Sequence, residues 1–232
     1  MVHRLHLARG GGMNTIYLDI ETIPNQSPEY RAEVRKNIKA PASYKKQESI
    51  DKWIAENGDA AADEIVAKTS FDPAHGHICT IGFAIGDGEA QAVHAEAEEC
   101  EQLIIESFFA ALPELGMNQI VGHYITGFDI PFILRRAIIL GVKLPPSVAF
   151  PRQPKPWDDC VFDTMVAWAG PRDRISQDNL CKALGLQCKG AFDGSMVAKA
   201  WADGEHQTIA DYCKRDVETV REIHKRFEAV GY

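Results

Sequence analysis

No C-x-x-C pair occurs among the six cysteines, and the closest two, Cys181 and Cys188, have no histidine at zinc-ligand spacing. The common structural zinc motifs are thereby excluded, and free thiols in a reduced, cytoplasmic chain are expected. No apolar run approaches the ~20 residues of a membrane span, so no membrane partner is expected. Basic residues are in the minority, 25 against 33 acidic ones, for a formal charge of −8. That balance argues against coating duplex nucleic acid through bulk charge, but leaves room for a site that grips one strand end. Internal repeats and low-complexity tracts are also missing.

The 232 residues, 45% hydrophobic and 25% charged, suit one sizeable globular core. Residues 1–12, rich in Arg, His and Gly, show no periodicity. They are expected to be a disordered extension, with Met13 the natural start and residues 13–232 a single domain. Residues 14–20 alternate as a strand, placing Ile16, Leu18 and Ile20 on one face and Tyr17, Asp19 and Glu21 on the other. From residue 25 to about 70 the pattern turns polar and helical, with a break expected at Asn57-Gly58. Lys36, Lys39, Lys45, Lys46 and Lys52 in this insertion fit either a solvated face or a wall for nucleic acid.

A hairpin is predicted over residues 77–95, turning at Gly86-Asp87-Gly88-Glu89. The next helix, over 98–112, is expected to bury Leu103, Ile104, Phe108 and Leu112. A short strand ends near Tyr124, and a helix follows with Asp129 as N-cap and Pro131 in its first turn. Residues 160–165 read as a strand holding Asp163, and a long helix closes the chain from Thr208 to about Val230. Strand, hairpin, then alternating helix and strand predict an α/β fold: a mixed sheet with helices on both faces.

Two carboxylates one pleat apart, Asp19 and Glu21, repel each other, and a hard cation such as Mg²⁺ or Mn²⁺ relieves the repulsion. Two solvated strand-end acids would look the same in sequence. In the last helix, Asp216 occupies a slot whose heptad neighbours are Ile209 and Ile223. Burying an unpaired carboxylate there costs several kcal/mol, or protonates it, unless a buried Arg, backbone donors or a bound metal compensates. Tyr212 lies one turn earlier on the same face.

Asp19-x-Glu21, Phe128-Asp129 and Tyr212-x-x-x-Asp216, in that order, resemble the three motifs of the DEDD superfamily of 3′–5′ exonucleases. The tyrosine resembles the DEDDy branch, as in RNase D and the proofreading domain of family-B DNA polymerases; the histidine branch would carry His where this chain has Asp211. Phe128-Asp129-Ile130-Pro131-Phe132, Phe162-Asp163-Thr164-Met165, Lys189 with Asp193-Gly194-Ser195, and the residues 211–217 are similar to stand-alone bacterial predicted exonucleases related to that polymerase domain.

The resemblance implies a ribonuclease H-like, mixed five-stranded sheet with the helical insertion after the first strand. It implies two divalent cations, Mg²⁺ or Mn²⁺, held by Asp19, Glu21, Asp129 and Asp216, with Tyr212 orienting the attacking water. The implied partner is a single-stranded 3′ end, DNA favoured, released as nucleoside 5′-monophosphates without an attached polymerase. Weaker substrate-binding candidates are His123, Phe128, Asp163 and Lys189. His123 also reads as a satisfied strand-end histidine and Asp163 as a strand-end acid. His123 stands in the region where the superfamily often carries Asn. An RNase D-type exoribonuclease, or a catalytically silent nucleic-acid-binding module, are the competing readings.

Overall fold

A computed structural model describes residues 13–114, 117–187 and 190–232. The predicted extension over 1–12, together with Cys188 and Lys189, lies outside the described residues. A five-stranded mixed sheet carries the fold, in the order β3-β2-β1-β4-β5. Central β1 (Asn14–Ile23) pairs antiparallel with β2 (His77–Ile85) and parallel with β4 (Asn118–Gly122). At the edges, β3 (Gln91–His94) continues the hairpin and short β5 (Val161–Asp163) runs parallel to β4. The first strand runs three residues past its predicted end because β2 stays paired to Ile23.

The alternation in β1 divides two cores. Ile16, Leu18 and Ile20 face a layer formed by α3 (Glu101–Ala111) and α4 (Asp129–Leu140), including Ile104, Phe108, Ile130 and Ile133. Tyr17 faces the other way, with Ala84 and Val121, onto Val217 and Val220 of α8 (His206–Glu228). Leu103, expected in the buried stripe of α3, is 60% exposed; Ile105 and Phe109 are buried instead. Glu101, Ile104, Ile105, Phe108 and Phe109 follow the spacing of one helix face, and Leu103 falls outside it.

Residues 25–70 form α1 (Pro28–Lys36) and α2 (Gln47–Lys68). The ends of this excursion are stitched together: Thr22 Oγ1 donates to Ser70 O at 2.7 Å and Asn25 N to Thr69 Oγ1 at 2.8 Å. No break occurs at Asn57-Gly58. Gly58 is buried inside α2, and a Cβ there would stand 2.4 Å from the Arg35 guanidinium carbon. The glycine makes room for an arginine, which pairs with Asp59 at 3.1 Å, and does not end the helix.

After β5, α5 (Thr164–Ala169), α6 (Gln177–Leu184) and α7 (Val197–Ala202) lead to α8. The long last helix lies close across β1 and β2 because Gly82 has no side chain. Gly82 stands opposite Asp19 in the β1–β2 register, and a Cβ on it would meet Cys213 Sγ at 2.7 Å and Val217 at 3.1 Å. Arg221 ties the far end of α8 to the hairpin turn, donating to Gly86 O at 3.0 Å and Gly88 O at 2.6 Å.

Candidate active site

β1, β4 and β5 run parallel, and the site forms at their carboxyl ends, where sheets of this kind commonly bind ligands. Past Tyr17 the β1–β4 ladder stops, leaving the later part of the β1 edge open. The loop after β4 crosses this gap and delivers Asp129, whose Oδ1 accepts the Ile20 N–H at 3.1 Å. Asp129 is therefore not the expected N-cap. Phe128 occupies that position, and Asp129 is the first helical residue with its carboxylate turned onto β1.

On the neighbouring side, β2 carries one extra residue against β1 between Glu21 and Thr22. Bulges re-aim side chains, and Glu21 here points to the same end of the sheet as Asp19. Ligand atoms of Asp19, Glu21 and Cys213 all lie within 4.8 Å of one another. Asp216 joins them from α8, one turn beyond Tyr212, whose hydroxyl hydrogen-bonds it.

Asp19, Glu21, Asp129, Tyr212 and Asp216 thus line a single cleft of about 480 Å³. Its electrostatics are those of crowded acids. Burial, opposed by hydrogen bonds from backbone N–H groups and aided by the nearby charge of Asp163, pushes the Asp129 carboxyl up to about 8. Burial, and then the charges of Asp216, Glu21 and Asp19, push the Tyr212 phenol far upward. The same burial and acids raise the Cys213 thiol well above its usual value, so it stays an S–H donor, 3.4 Å from Asp19 Oδ2.

The other sequence candidates divide. Phe128 lines the cleft and packs on Phe132, ring centroids 5.3 Å apart. His123 lines it too, but its ring nitrogens lie 3.0 Å from Thr164 Oγ1 and 2.8 Å from Ile175 O, so the imidazole ties β4 to later loops. Asp163 does not line the cleft. Its carboxylate accepts from Tyr124 N, Thr126 N, Thr126 Oγ1, Met165 N and Val166 N, capping α5 and fixing the loop that delivers Asp129. Among the described residues, none of the five insertion lysines lines the cleft.

Two contributors carried no recognisable pattern in the sequence. Arg174 is the one arginine or lysine among the described residues of the cleft lining, held by Tyr124: its guanidinium lies 4.6 Å above the ring and donates to the hydroxyl at 3.0 Å. Tyr124 has φ 63°, the left-handed region that Asn adopts more readily than Tyr.

A family-B DNA polymerase from the hyperthermophilic archaeon Pyrobaculum calidifontis has this fold, with a TM-score of 0.58 and 17% identity over 93% of the present chain. The chain spans about a quarter of that polymerase, 24% of its length. Residues 73–230 match the family described as predicted 3′–5′ exonucleases related to the exonuclease domain of PolB, and the chain belongs to this family. No curated protein matches the chain. Asp129, Tyr212 and Asp216 fall inside the matched stretch, whereas Asp19 and Glu21 precede it and reach the site through the pairing of β1.

Proposed function

We propose that the chain is a divalent-metal-dependent exonuclease. It removes nucleoside 5′-monophosphates from the 3′ end of single-stranded nucleic acid, DNA favoured. The observation that carries this reading is the convergence of Asp19, Glu21, Asp129 and Asp216, from three separate elements, on one cleft. The donor set fits hard cations. It is rich in carboxylate oxygen, the one thiol is held protonated, and Asp129 is a buried carboxyl whose ionised form a cation would favour. Two Mg²⁺ or Mn²⁺ ions, when bound, supply a nucleophile at neutral pH and stabilise charge on the leaving oxygen.

The residues of the chain do the rest. Asp19, Glu21 and Asp216 hold the cations from β1 and α8, and Asp129 does so from α4. Tyr212 remains protonated at every physiological pH, so it orients the attacking water through its hydroxyl and does not take its proton. Water adds to the terminal phosphorus, the bond to the 3′-oxygen breaks, and that oxygen leaves as a hydroxyl. Arg174, across the cleft, offers a fork of donors to the phosphate. Phe128 offers a face for the terminal base. The thiols of Cys79, Cys100, Cys160 and Cys213, none of them in a disulfide, fit the proposed cytoplasmic location.

The test is a trimming assay on labelled DNA and RNA of the same sequence, single-stranded and duplex, with Mg²⁺, Mn²⁺ or EDTA. Stepwise shortening of single-stranded DNA from its 3′ end, abolished by EDTA, is the expected result. Faster shortening of RNA would move the assignment to an exoribonuclease. A strand bound but never shortened would leave a binding module.

A further inference from the structure

A groove of about 940 Å³ lies along α4 and the loop that follows it. Leu134, Arg135 and Ile138 line it from the helix, and Lys143, Arg152 and Lys155 from the loop. All four cations are exposed, no carboxylate lines the groove, and among the described residues none of the four is ion-paired. In a chain of net charge −8, this is a local reversal of sign. Ile138 is 79% exposed beside the cations, an apolar surface on an otherwise polar wall. One acid, Asp72, sits in an adjoining hollow that shares Arg135 and Ile138, and its carboxylate accepts the Ala74 N–H.

The groove neighbours the cleft along the loop after β4. Thr126 lines the groove, while Tyr124 and Phe128 on either side of it line the cleft. Arg135 follows Asp129 by six residues on the same helix, about 9 Å along its axis. That is the length of roughly three stacked nucleotides at ~3.4 Å each. Cations beside apolar surface match a strand whose phosphates and base faces are both open, which describes single-stranded nucleic acid and not a duplex.

We propose that this groove holds the substrate strand on the 5′ side of the nucleotide being removed. Phosphates rest on Arg135, Lys143, Arg152 and Lys155, and bases lie against Leu134 and Ile138. The inference rests on the nuclease reading above, and it assigns to the groove the affinity for the strand that the acidic cleft cannot supply.

The test compares the wild-type chain with the quadruple variant Arg135→Ala, Lys143→Ala, Arg152→Ala, Lys155→Ala. Anisotropy of a fluorescent fifteen-nucleotide single strand, read in EDTA, measures binding without turnover. The variant should bind about thirtyfold more weakly at low salt, and its log Kd against log salt slope should fall by up to about 3. Trimming of a dinucleotide in Mn²⁺, too short to reach Arg135, should be unchanged, and a variant that only exchanges Arg and Lys at these positions should retain binding. If the quadruple variant melts early, the pairs Arg135/Lys143 and Arg152/Lys155 are removed separately. Unchanged affinity and slope would overturn the groove assignment while leaving the nuclease reading intact. Strand binding lost with the cations, in a wild-type chain that trims nothing, would do the reverse.

Discussion

Glu101 and Asp129 are both buried acids, 1% and 4% exposed, yet burial has opposite outcomes for them. Around Glu101, Arg136 donates from Nε at 2.8 Å and Nη2 at 2.6 Å, the Ile78 N–H donates at 2.8 Å, and His77 stands 3.2 Å away. Burial raises its pKa, but these donors outweigh burial and hold the carboxyl below its usual value. Asp129 receives only backbone N–H groups and faces another acid, so burial prevails and its carboxyl rises to about 8. One acid is complete within the fold; the other is left in want of positive charge. The first locks α3 and α4 to the sheet, and the second belongs to the cleft.

Substitutions that exchange these two behaviours give the largest effects. Asp129→Asn removes a ligand from the proposed cation site, so trimming should fall on the order of a thousandfold or more, about 4 kcal/mol in the barrier. The metal-free variant should nevertheless be more stable than wild type at pH 7, by up to a few kcal/mol. The sign follows from linkage: a carboxyl whose pKa is higher in the folded chain favours folding at low pH and loses that contribution as pH rises through about 8. Thermal melts in EDTA across pH 5–8 read the difference, which Asp129→Asn should flatten.

Arg136→Met reverses the pattern, stranding Glu101 as a buried charge. It should destabilise the chain by about 3–5 kcal/mol, while trimming per folded molecule stays near wild type. Gly82→Ala tests the hinge between the two regions, because its Cβ would collide with Cys213 and lift α8 from β1. We expect a loss of about 1–3 kcal/mol together with reduced turnover, since Tyr212 and Asp216 travel with the helix. The smallest effect is on pH. Glu101, lowered in the folded state, contributes stability above its ordinary pKa of 4.5 and loses it as pH falls through the depressed value. Acid melts of wild type should therefore steepen below about pH 4.5, and Glu101→Gln should remove that component.

Much of this contrast was legible before the fold was known. The alternation of Tyr17 to Glu21 and the heptad slot of Asp216 announce acids aimed at a core, because period and polarity disagree there. Asp129 was legible as a position but not as a role, since a capping aspartate and one that reaches a neighbouring strand look alike in sequence. Gly58 and Gly82 were opaque for a different reason. What each makes room for, Arg35 in one case and Cys213 in the other, is far away in sequence. Glu101 and Arg136 pair across two helices, and neither lies in a pattern that marks burial. Arg174 and Tyr124 meet through loops, where periodicity carries no information.

Calorimetric titration of Mn²⁺ into the chain and into its Asp19→Asn and Asp129→Asn variants asks most directly whether the clustered acids are a cation cage. The wild-type chain should take up the ion with release of protons, and both variants should bind it far more weakly. Equal uptake by all three, or none by the wild-type chain, would contradict the assignment of the cleft to metal-dependent trimming.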